Sequence, residues 1–446
     1  MADKRILLLG SGYVTTTVVE YLTRRPENIL TLANRTVENA EKRSNDGVKD
    51  RIKVVQLDLE NDDAKLEQLV RENDIVISLV PYLYHVKVAK VCLQEKKHLV
   101  TTSYISPAMR ELHQQAVAAD VILMNEIGVD PGIDHLAAVK IIDDVRKEGG
   151  EITSFYSWCG GLPVPDRMDD NPLKYKFSWS PKGVLMASRN VAKFIEDGKT
   201  VTVDSVLDSS RKLKLSDKYP AFDGYPNRDS TQYVEEYNIP KSRNVLRGTL
   251  RYNGFCSLLK KLLLLGLIEN SPASSDNWRQ VTKNLVGAQS DDDSDIKAKI
   301  AKKLNLKSEE AEQLFKDLTF FGLLNAEEKV GKNNNLLDAF ATLLQKKCYY
   351  DADEPDFVFL QHIFEAEFPN GSKQTRKATL ALFGDDKFSA MAKGTGLPCA
   401  VVTQLILDNK VSRRGVVGPM HSDLNDLITE GLKGEKIEVE FETINQ

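Results

Sequence analysis

The chain is poor in cysteine, and its cysteines are badly placed for cross-linking. Five of them, Cys92, Cys159, Cys256, Cys348 and Cys399, are scattered along 446 residues. They are odd in number and form no CxxC pair, so neither a disulfide framework nor a zinc site is indicated. No other cluster of metal ligands stands out, and no metal is expected. Charge of one sign is also lacking: 60 lysines and arginines face 65 aspartates and glutamates, a formal net charge of −5. That balance argues against a phosphate-backbone binder, which would carry a basic stripe, so no nucleic-acid partner is expected. It says little about small anionic substrates, because a few arginines in a cleft hardly change the total. Long hydrophobic runs are missing as well. The stretch 258–268 contains Lys260 and Lys261 and falls short of the about 18–20 residues a membrane span needs. The opening, MADKRILLLG, places a strand so close to Met1 that no signal or transit segment fits before it. The expectation is a cytoplasmic protein in a reducing compartment, with no membrane association.

What is present is a regular alternation. The length sets a prior of roughly three domains. From residue 4 to 148, short apolar runs at 5–9, 29–33, 52–57, 75–79, 99–102 and 121–125 alternate with segments of helical character. The runs are rich in Val, Ile and Leu, as strands buried on both faces are. Repeated βα units predict a parallel, doubly wound sheet. After Gly149 the texture changes. Strand-like runs at 152–158 and 245–252 lie among loops dense in Pro, Asn, Asp and Gly. Residues 254–348 read as helix, with amphipathic segments near 256–268, 277–286, 296–305, 309–320 and 335–346. The acidic run from Asp291 to Asp295 reads as a solvated loop and helix start. Runs at 357–368 and 373–383 flank Pro369-Asn370-Gly371, a strong hairpin signal. Helices over 387–393 and 398–409 and a last strand over 436–441 complete the pattern. The helical block therefore looks inserted in an α+β domain.

The first strand ends in Gly10-Ser11-Gly12-Tyr13-Val14-Thr15 and runs into a helix. Two glycines permit a tight turn and close approach of backbone to a pyrophosphate, which then sits on the helix N-terminus. Thr15 stands where the usual motif has Gly or Ala. The second strand ends in Asn34-Arg35-Thr36. NAD-binding chains place a carboxylate there for the ribose 2′-hydroxyl. Here there is none, and Arg35 offers a 2′-phosphate a charge-assisted fork of hydrogen bonds. NADP(H) is therefore expected over NAD, although Arg35 could also merely open the next helix. Asp58, closing the third strand, could accept from the adenine amino group, and Val80-Pro81-Tyr82 could contact adenosine or pyrophosphate.

Ligands of open α/β sheets bind outside the carboxyl ends of the strands. That places Thr102-Ser103-Tyr104 and Gly128-Val129-Asp130-Pro131-Gly132-Ile133-Asp134-His135 where chemistry would occur. Asp130 is a candidate for function. Asp134 fits a helix N-cap, and His135 fits a structural place in the first helical turn. Cys159, followed by Gly160-Gly161, reads either as a small buried hydrophobe or as a reactive thiol. Arg228, Arg247 and Arg251 remain. Arg247, Thr249 and Arg251 point one way along a strand, and two arginines on one face either clamp carboxylates or form surface ion pairs.

The segments GSGYV, SYISPAM, NEIGVDPGIDH, CGGLPVP, NPLKYKFSWSPKGVL, YPNRDST and LRGTLRY, in this order, resemble the saccharopine dehydrogenases of the glutamate-forming type. The likeness spans nearly the whole chain and is weakest in the helical block and the last 50 residues. Arg35 and the stand-alone length make it similar to the fungal NADP form, the saccharopine reductases of the α-aminoadipate lysine pathway. The animal form is the NAD-using C-terminal part of a bifunctional mitochondrial protein. The resemblance implies a Rossmann domain at 1–130, an α+β substrate and dimerisation domain at 131–252 and 350–446, and an all-helical domain at 253–349. Part of the C-terminal helices would pack back on the first domain, and the protein would be a homodimer. The implied reaction condenses glutamate with 2-aminoadipate 6-semialdehyde to an imine, which NADPH reduces to saccharopine, reversibly. Tyr104, Asp130 and Cys159 become the implied acid–base residues. Ser103, Tyr104, Arg228, Thr249, Leu250 and Arg251 become substrate contacts. Leu59, Val80, Val129, Asp130, Pro131 and Ser178 join the cofactor contacts. Two alternatives stand beside this reading. One is an imine-reducing dehydrogenase acting on a polyamine, which would want acidic residues at the substrate end. The other is a non-catalytic NADP sensor, which would need no Asp130, Cys159 and Arg228.

Overall fold

The structure is a computed structural model and describes residues 3–41, 50–178, 180–331, 335–351 and 353–446. The chain forms two compact units. The first holds Met1–Ser157, Tyr233–Ser242 and Leu360–Gln446, and the second holds Trp158–Gln232 and Arg243–Phe359.

The first unit is organised by a seven-stranded sheet. Strands β1 (Lys4–Leu9), β2 (Asn28–Asn34), β3 (Ile52–Gln56), β4 (Ile75–Ser78), β5 (His98–Thr101) and β6 (Ile122–Met124) lie in the order 6-5-4-1-2-3. The pairings are parallel. Leu7, Leu8, Ile77 and Val100 are fully buried, which is why these runs are apolar without alternation. The strand order reverses between β1 and β4, and a crevice for a ligand opens at such a point. All six expected strands form.

The seventh strand was not foreseen. Gly415–Val417 lies beside β6 in parallel register, Gly415 opposite Ile122. Three residues are too few to show a period. The C-terminal part of the chain also supplies Ala390–Leu407, one continuous helix where two had been read around Pro398. An interior proline costs about 3 kcal/mol. Burial over most of the helix, against α1 (Thr15–Thr23) among other elements, offsets that cost. Gly396 sits at that contact: a Cβ there would lie 2.7 Å from Val14 O. This helix is long and apolar enough to cross a membrane by length and composition, with 72% of it buried in the protein.

The Asn370-Gly371 hairpin forms as expected. Gly371 has φ 82° and Phe368 N donates to Ser372 O. The last strand is Glu440–Asn445 rather than 436–441, because Ile437 N donates back to Leu432 O and prolongs the end of the helix Ser422–Gly434.

The second unit pairs Phe222–Pro226 antiparallel to Asn244–Tyr252, with Arg211–Leu213 beyond the former. Gly224 and Gly248 make room for the buried Trp158 ring; a Cβ on either would fall within 3 Å of it. Five helices follow: Phe255–Leu265, Trp278–Val286, Asp293–Leu304, Ser308–Phe321 and Leu336–Lys347. Trp278, Phe321, Phe340 and Leu344 fill a core among them. The acidic run opens the third of these helices, with Asp295 accepting from Gln289 N and Ser290 N.

Candidate active site

The nucleotide end of the first unit is built mostly by backbone. Gly10 has φ 105°, and a Cβ on it would stand 2.7 Å from Leu79 O, at the end of β4. Only glycine fits there. A Cβ on Gly12 would meet nothing within 4 Å, so the space beside it stays open for a ligand. Val14, which has no polar side chain, occupies the N-cap of α1. A pyrophosphate can supply the missing acceptor. Thr15, the departure from the usual motif, is fully buried and donates from Oγ1 to Gly10 O at 3.3 Å. The threonine thus closes the loop from inside instead of leaving space. Ser11 and Val14 are half-buried, and Tyr13 is exposed.

At the end of β2, Asn34 Nδ2 donates to Thr36 O at 2.9 Å and holds the turn. Arg35 is exposed and makes no ion pair among the described residues, so its guanidinium is available to a phosphate. Its charge reaches Asp58, whose carboxyl is held below the usual range chiefly by the Glu60 N–H, then by Asn61 and Arg35. Asp58 is therefore occupied in its own turn, with Leu59 next in that turn. These residues suit a nucleotide carrying a 2′-phosphate better than one with a free 2′-hydroxyl.

At the ends of β5 and β6, Tyr104 and Asp130 come together: the tyrosine hydroxyl donates to Asp130 Oδ1 at 2.7 Å. Asp130 belongs to a tight loop in which Gly128 N donates to Pro131 O at 2.8 Å. Val129 is buried in that loop. The cap of the following helix, Ile133–Lys147, is Gly132 and not Asp134. The Asp134 carboxylate instead accepts from Gly132 N at 2.5 Å, so it tightens the loop from within the first turn. Ser103 Oγ is 2.8 Å from His85 Nε2, and His85 Nδ1 is 2.9 Å from Ser78 Oγ. Burial pushes the His85 imidazole down to about 4, so the ring is neutral at ordinary pH. Val80, Pro81 and Tyr82 lead into the helix that carries His85, with Tyr82 strongly exposed.

The second unit holds the other candidates. Gly160 packs on the Asn244–Tyr252 strand, where a Cβ would come within 2.6 Å of Leu250 O. That places Cys159, half-buried, next to the arginine strand. Arg251 is 6% exposed. It donates from Nη1 to Leu250 O at 2.7 Å and stacks over Tyr175 at 4.5 Å. Its cross-strand neighbour, Asp223, turns its carboxylate to Gly254 N and Cys256 N instead. Arg251 meets no carboxylate among the described residues, and Nε has no partner. Burial pulls its pKa down, but the phenols of Tyr225 and Tyr175 and the thiols of Cys256 and Cys159 outweigh that and leave it raised. The arginine and Cys159 are thus within electrostatic reach of each other. Thr249 lies directly opposite Tyr225. Arg228 is exposed, with φ 55°, and its carbonyl accepts from Lys193 N. Arg247 is buried, with its backbone held by Ser230 Oγ. Ser178 is half-buried in the loop before the helix Pro181–Ala187.

Comparison with known proteins fits this geometry. Residues 6–124 match the family described as saccharopine dehydrogenase NADP binding domain, and residues 128–437 match saccharopine dehydrogenase C-terminal domain. The chain belongs to the saccharopine dehydrogenase family. Within it, "Saccharopine dehydrogenase [NADP(+), L-glutamate-forming]" of Pyricularia oryzae is 44% identical, over 99% of this chain and 98% of the relative. The protein of that name from Saccharomyces cerevisiae is 41% identical, over 96% and 97%. "Alpha-aminoadipic semialdehyde synthase, mitochondrial" of Bos taurus is 37% identical over 97% of this chain but only 47% of the relative. The solved apo saccharopine dehydrogenase (L-Glu forming) of Saccharomyces cerevisiae matches with a TM-score of 0.92 at 39% identity, covering 99% of this chain and 100% of that one. In this saccharopine dehydrogenase family member, sequence reasoning missed His85 and Glu126. His85 lies in a helix away from the strand ends, and Glu126, although just past the end of β6, was passed over for Asp130; their positions show only once the partners Ser103 and Ile105 are seen.

Proposed function

We propose that this chain is a saccharopine reductase, which joins L-glutamate to L-2-aminoadipate 6-semialdehyde and reduces the resulting imine to L-saccharopine with NADPH, reversibly, in lysine biosynthesis. The observation that carries this reading is Arg251, a buried guanidinium with no carboxylate partner among the described residues. A buried charge calls for an anion, and both substrates present carboxylates. A polyamine would find the wrong sign there.

Gly10, Gly12, the N-terminus of α1 and Arg35 would hold the cofactor, which when bound supplies a hydride. Arg228, Thr249, Leu250 and Arg251 would fix the carboxylates, with Ser103 contacting the same ligand. The glutamate amine adds to the aldehyde carbon, the carbinolamine loses water, and the imine carbon accepts the hydride as its nitrogen takes a proton. Tyr104, Asp130 and Cys159 would move these protons. The Tyr104–Asp130 hydrogen bond suits a relay, because one proton can shift between the two oxygens without leaving the pair.

The reading includes a homodimer in the cytoplasm. Five cysteines, odd in number and scattered along the chain, fit a reducing compartment. Exposed Phe441 and Ile444 on the edge strand Glu440–Asn445 favour an interface. Loss of NADPH absorbance in the near ultraviolet tests the function, with glutamate and the semialdehyde supplied together, then singly, and with NADH for comparison. Oxidation only with both substrates, and faster with NADPH, is expected. Binding of NADPH without turnover would overturn it.

A further inference from the structure

Besides Asp134, which tightens the loop, the segment around Asp130 carries two more ionisable residues that this chemistry does not use, Glu126 and His135. They are 5% and 0% exposed. Glu126 has φ 61°, a left-handed conformation that a residue with a long side chain keeps only where its surroundings over-determine it. Its backbone N–H donates to Ser103 O at 3.1 Å. Its Oε1 accepts from Ile105 N at 2.8 Å. Ser103 and Ile105 flank Tyr104, so a single residue grips the chain on both sides of that tyrosine.

Glu126 is held in turn. Its Oε2 lies 2.8 Å from His135 Nε2, and His135 Nδ1 lies 2.6 Å from the Tyr237 hydroxyl. The Glu126 carboxylate and the imidazole are held as a close electrostatic contact without hydrogen-bond alignment, and the Tyr237 hydroxyl and Nδ1 share a hydrogen bond. His135 sits in the first turn of Ile133–Lys147, directly after the loop of Asp130. The row therefore runs from the backbone on either side of Tyr104, through the helix that follows Asp130, to Tyr237, and Tyr104 and Asp130 are themselves joined at 2.7 Å. Taking a carboxylate out of water costs several kcal/mol, and an apolar pair would fill the same space at less cost. Bulk stability alone does not explain the arrangement.

We infer that Glu126 and His135 are positioning residues that fix the backbone of Tyr104 so that its hydroxyl meets Asp130. The inference rests on the proposed function for its kinetic readout only. The experiment uses the full chain with tyrosine carbon-13 labelled at Cζ, and the Tyr104→Phe spectrum assigns the Tyr104 signal. The expected result is a displaced Tyr104 signal in Glu126→Gln and in His135→Gln, with NADPH affinity unchanged. The kcat should fall on the order of tenfold, with KM for glutamate held within about twofold. In a Tyr104→Phe background, Glu126→Gln should lower kcat no further. An unmoved Tyr104 signal in both variants, or an equal loss of kcat with and without Tyr104, overturns the inference. If the unsubstituted protein shows no turnover, the proposed function fails while the tyrosine signal still decides the positioning. Should either variant fail to fold, Tyr237→Phe removes one hydroxyl at the end of the row and gives the same readout with a smaller displacement.

Discussion

The nucleotide end of the parallel sheet and the arginine strand of the second unit bind charge in opposite ways. At the first, the determinants are backbone: a glycine no other residue can replace, an open space beside Gly12, and a helix start with no side-chain cap. Arg35, the cation placed to meet a 2′-phosphate, is exposed. At the second, the determinant is a side chain, the buried Arg251 stacked on Tyr175. Backbone sites cost little stability when empty, because water solvates them. A buried cation burdens the empty protein and is relieved by its ligand. Stability and affinity should therefore fall together at Gly10, affinity alone should fall at Gly12, and the two should move in opposite directions at Arg251.

Arg251→Met makes the sharpest break. It should lower kcat/KM for glutamate or saccharopine by roughly thirtyfold to several thousandfold, a loss of about 2–5 kcal/mol. The melting temperature without ligand should stay level or rise, since a buried unpaired charge is replaced by an apolar chain. A clear fall in melting temperature would show that the guanidinium stabilises the empty fold. Arg251→Lys should not restore activity, because lysine lacks the planar fork.

The two glycines divide the same question. Gly10→Ala forces a Cβ against Leu79 O at positive φ, and should cost about 3 kcal/mol of stability along with NADPH binding. Gly12→Ala should leave the melting temperature unchanged and weaken NADPH, measured by fluorescence titration, on the order of tenfold or more. Equal melting temperatures for the two variants would contradict the steric account.

His85 allows a test by pH. Its folded pKa of about 4 lies below the ordinary 6.5. Between those values the unfolded chain takes up a proton that the folded chain refuses. Stability is thus full above pH about 6.5 and declines as pH falls, by about 2 kcal/mol near pH 5. His85→Gln should flatten that part of the stability profile in urea melts. The smallest effect is expected at Arg35, where exposure screens the charge. Arg35→Ala should weaken NADPH roughly tenfold, leave NADH unchanged, and matter less at high salt.

The same contrast explains what could be read from sequence. Strands β1 to β6 were legible because burial on both faces leaves unbroken apolar runs, and the glycine loop because its chemistry is local. Gly415–Val417 was not, being three residues whose meaning lies in pairing with β6. Pro398 read as a break because a propensity argument cannot weigh the burial that holds the helix together. The places of Tyr104 and Asp130 followed from strand ends. The grip of Glu126 on either side of Tyr104 did not, since it depends on a side chain reaching 21 residues back along the chain. Asp134 was misjudged as a cap because a turn with Pro131 and Gly132 looks the same in sequence whichever residue begins the helix.

The return of Gly415–Val417 to the edge of β6 has a consequence for how the protein is made. The sheet that opens at Lys4 is closed by residues that follow β6 (Ile122–Met124) only at Gly415–Val417 along the chain. At roughly 5–20 residues per second, the nascent β6 waits on the order of 15–60 seconds for its neighbour. Through that interval the face of α1 that Ala390–Leu407 covers is bare. The nucleotide-binding half is thus synthesised well before the elements that finish it.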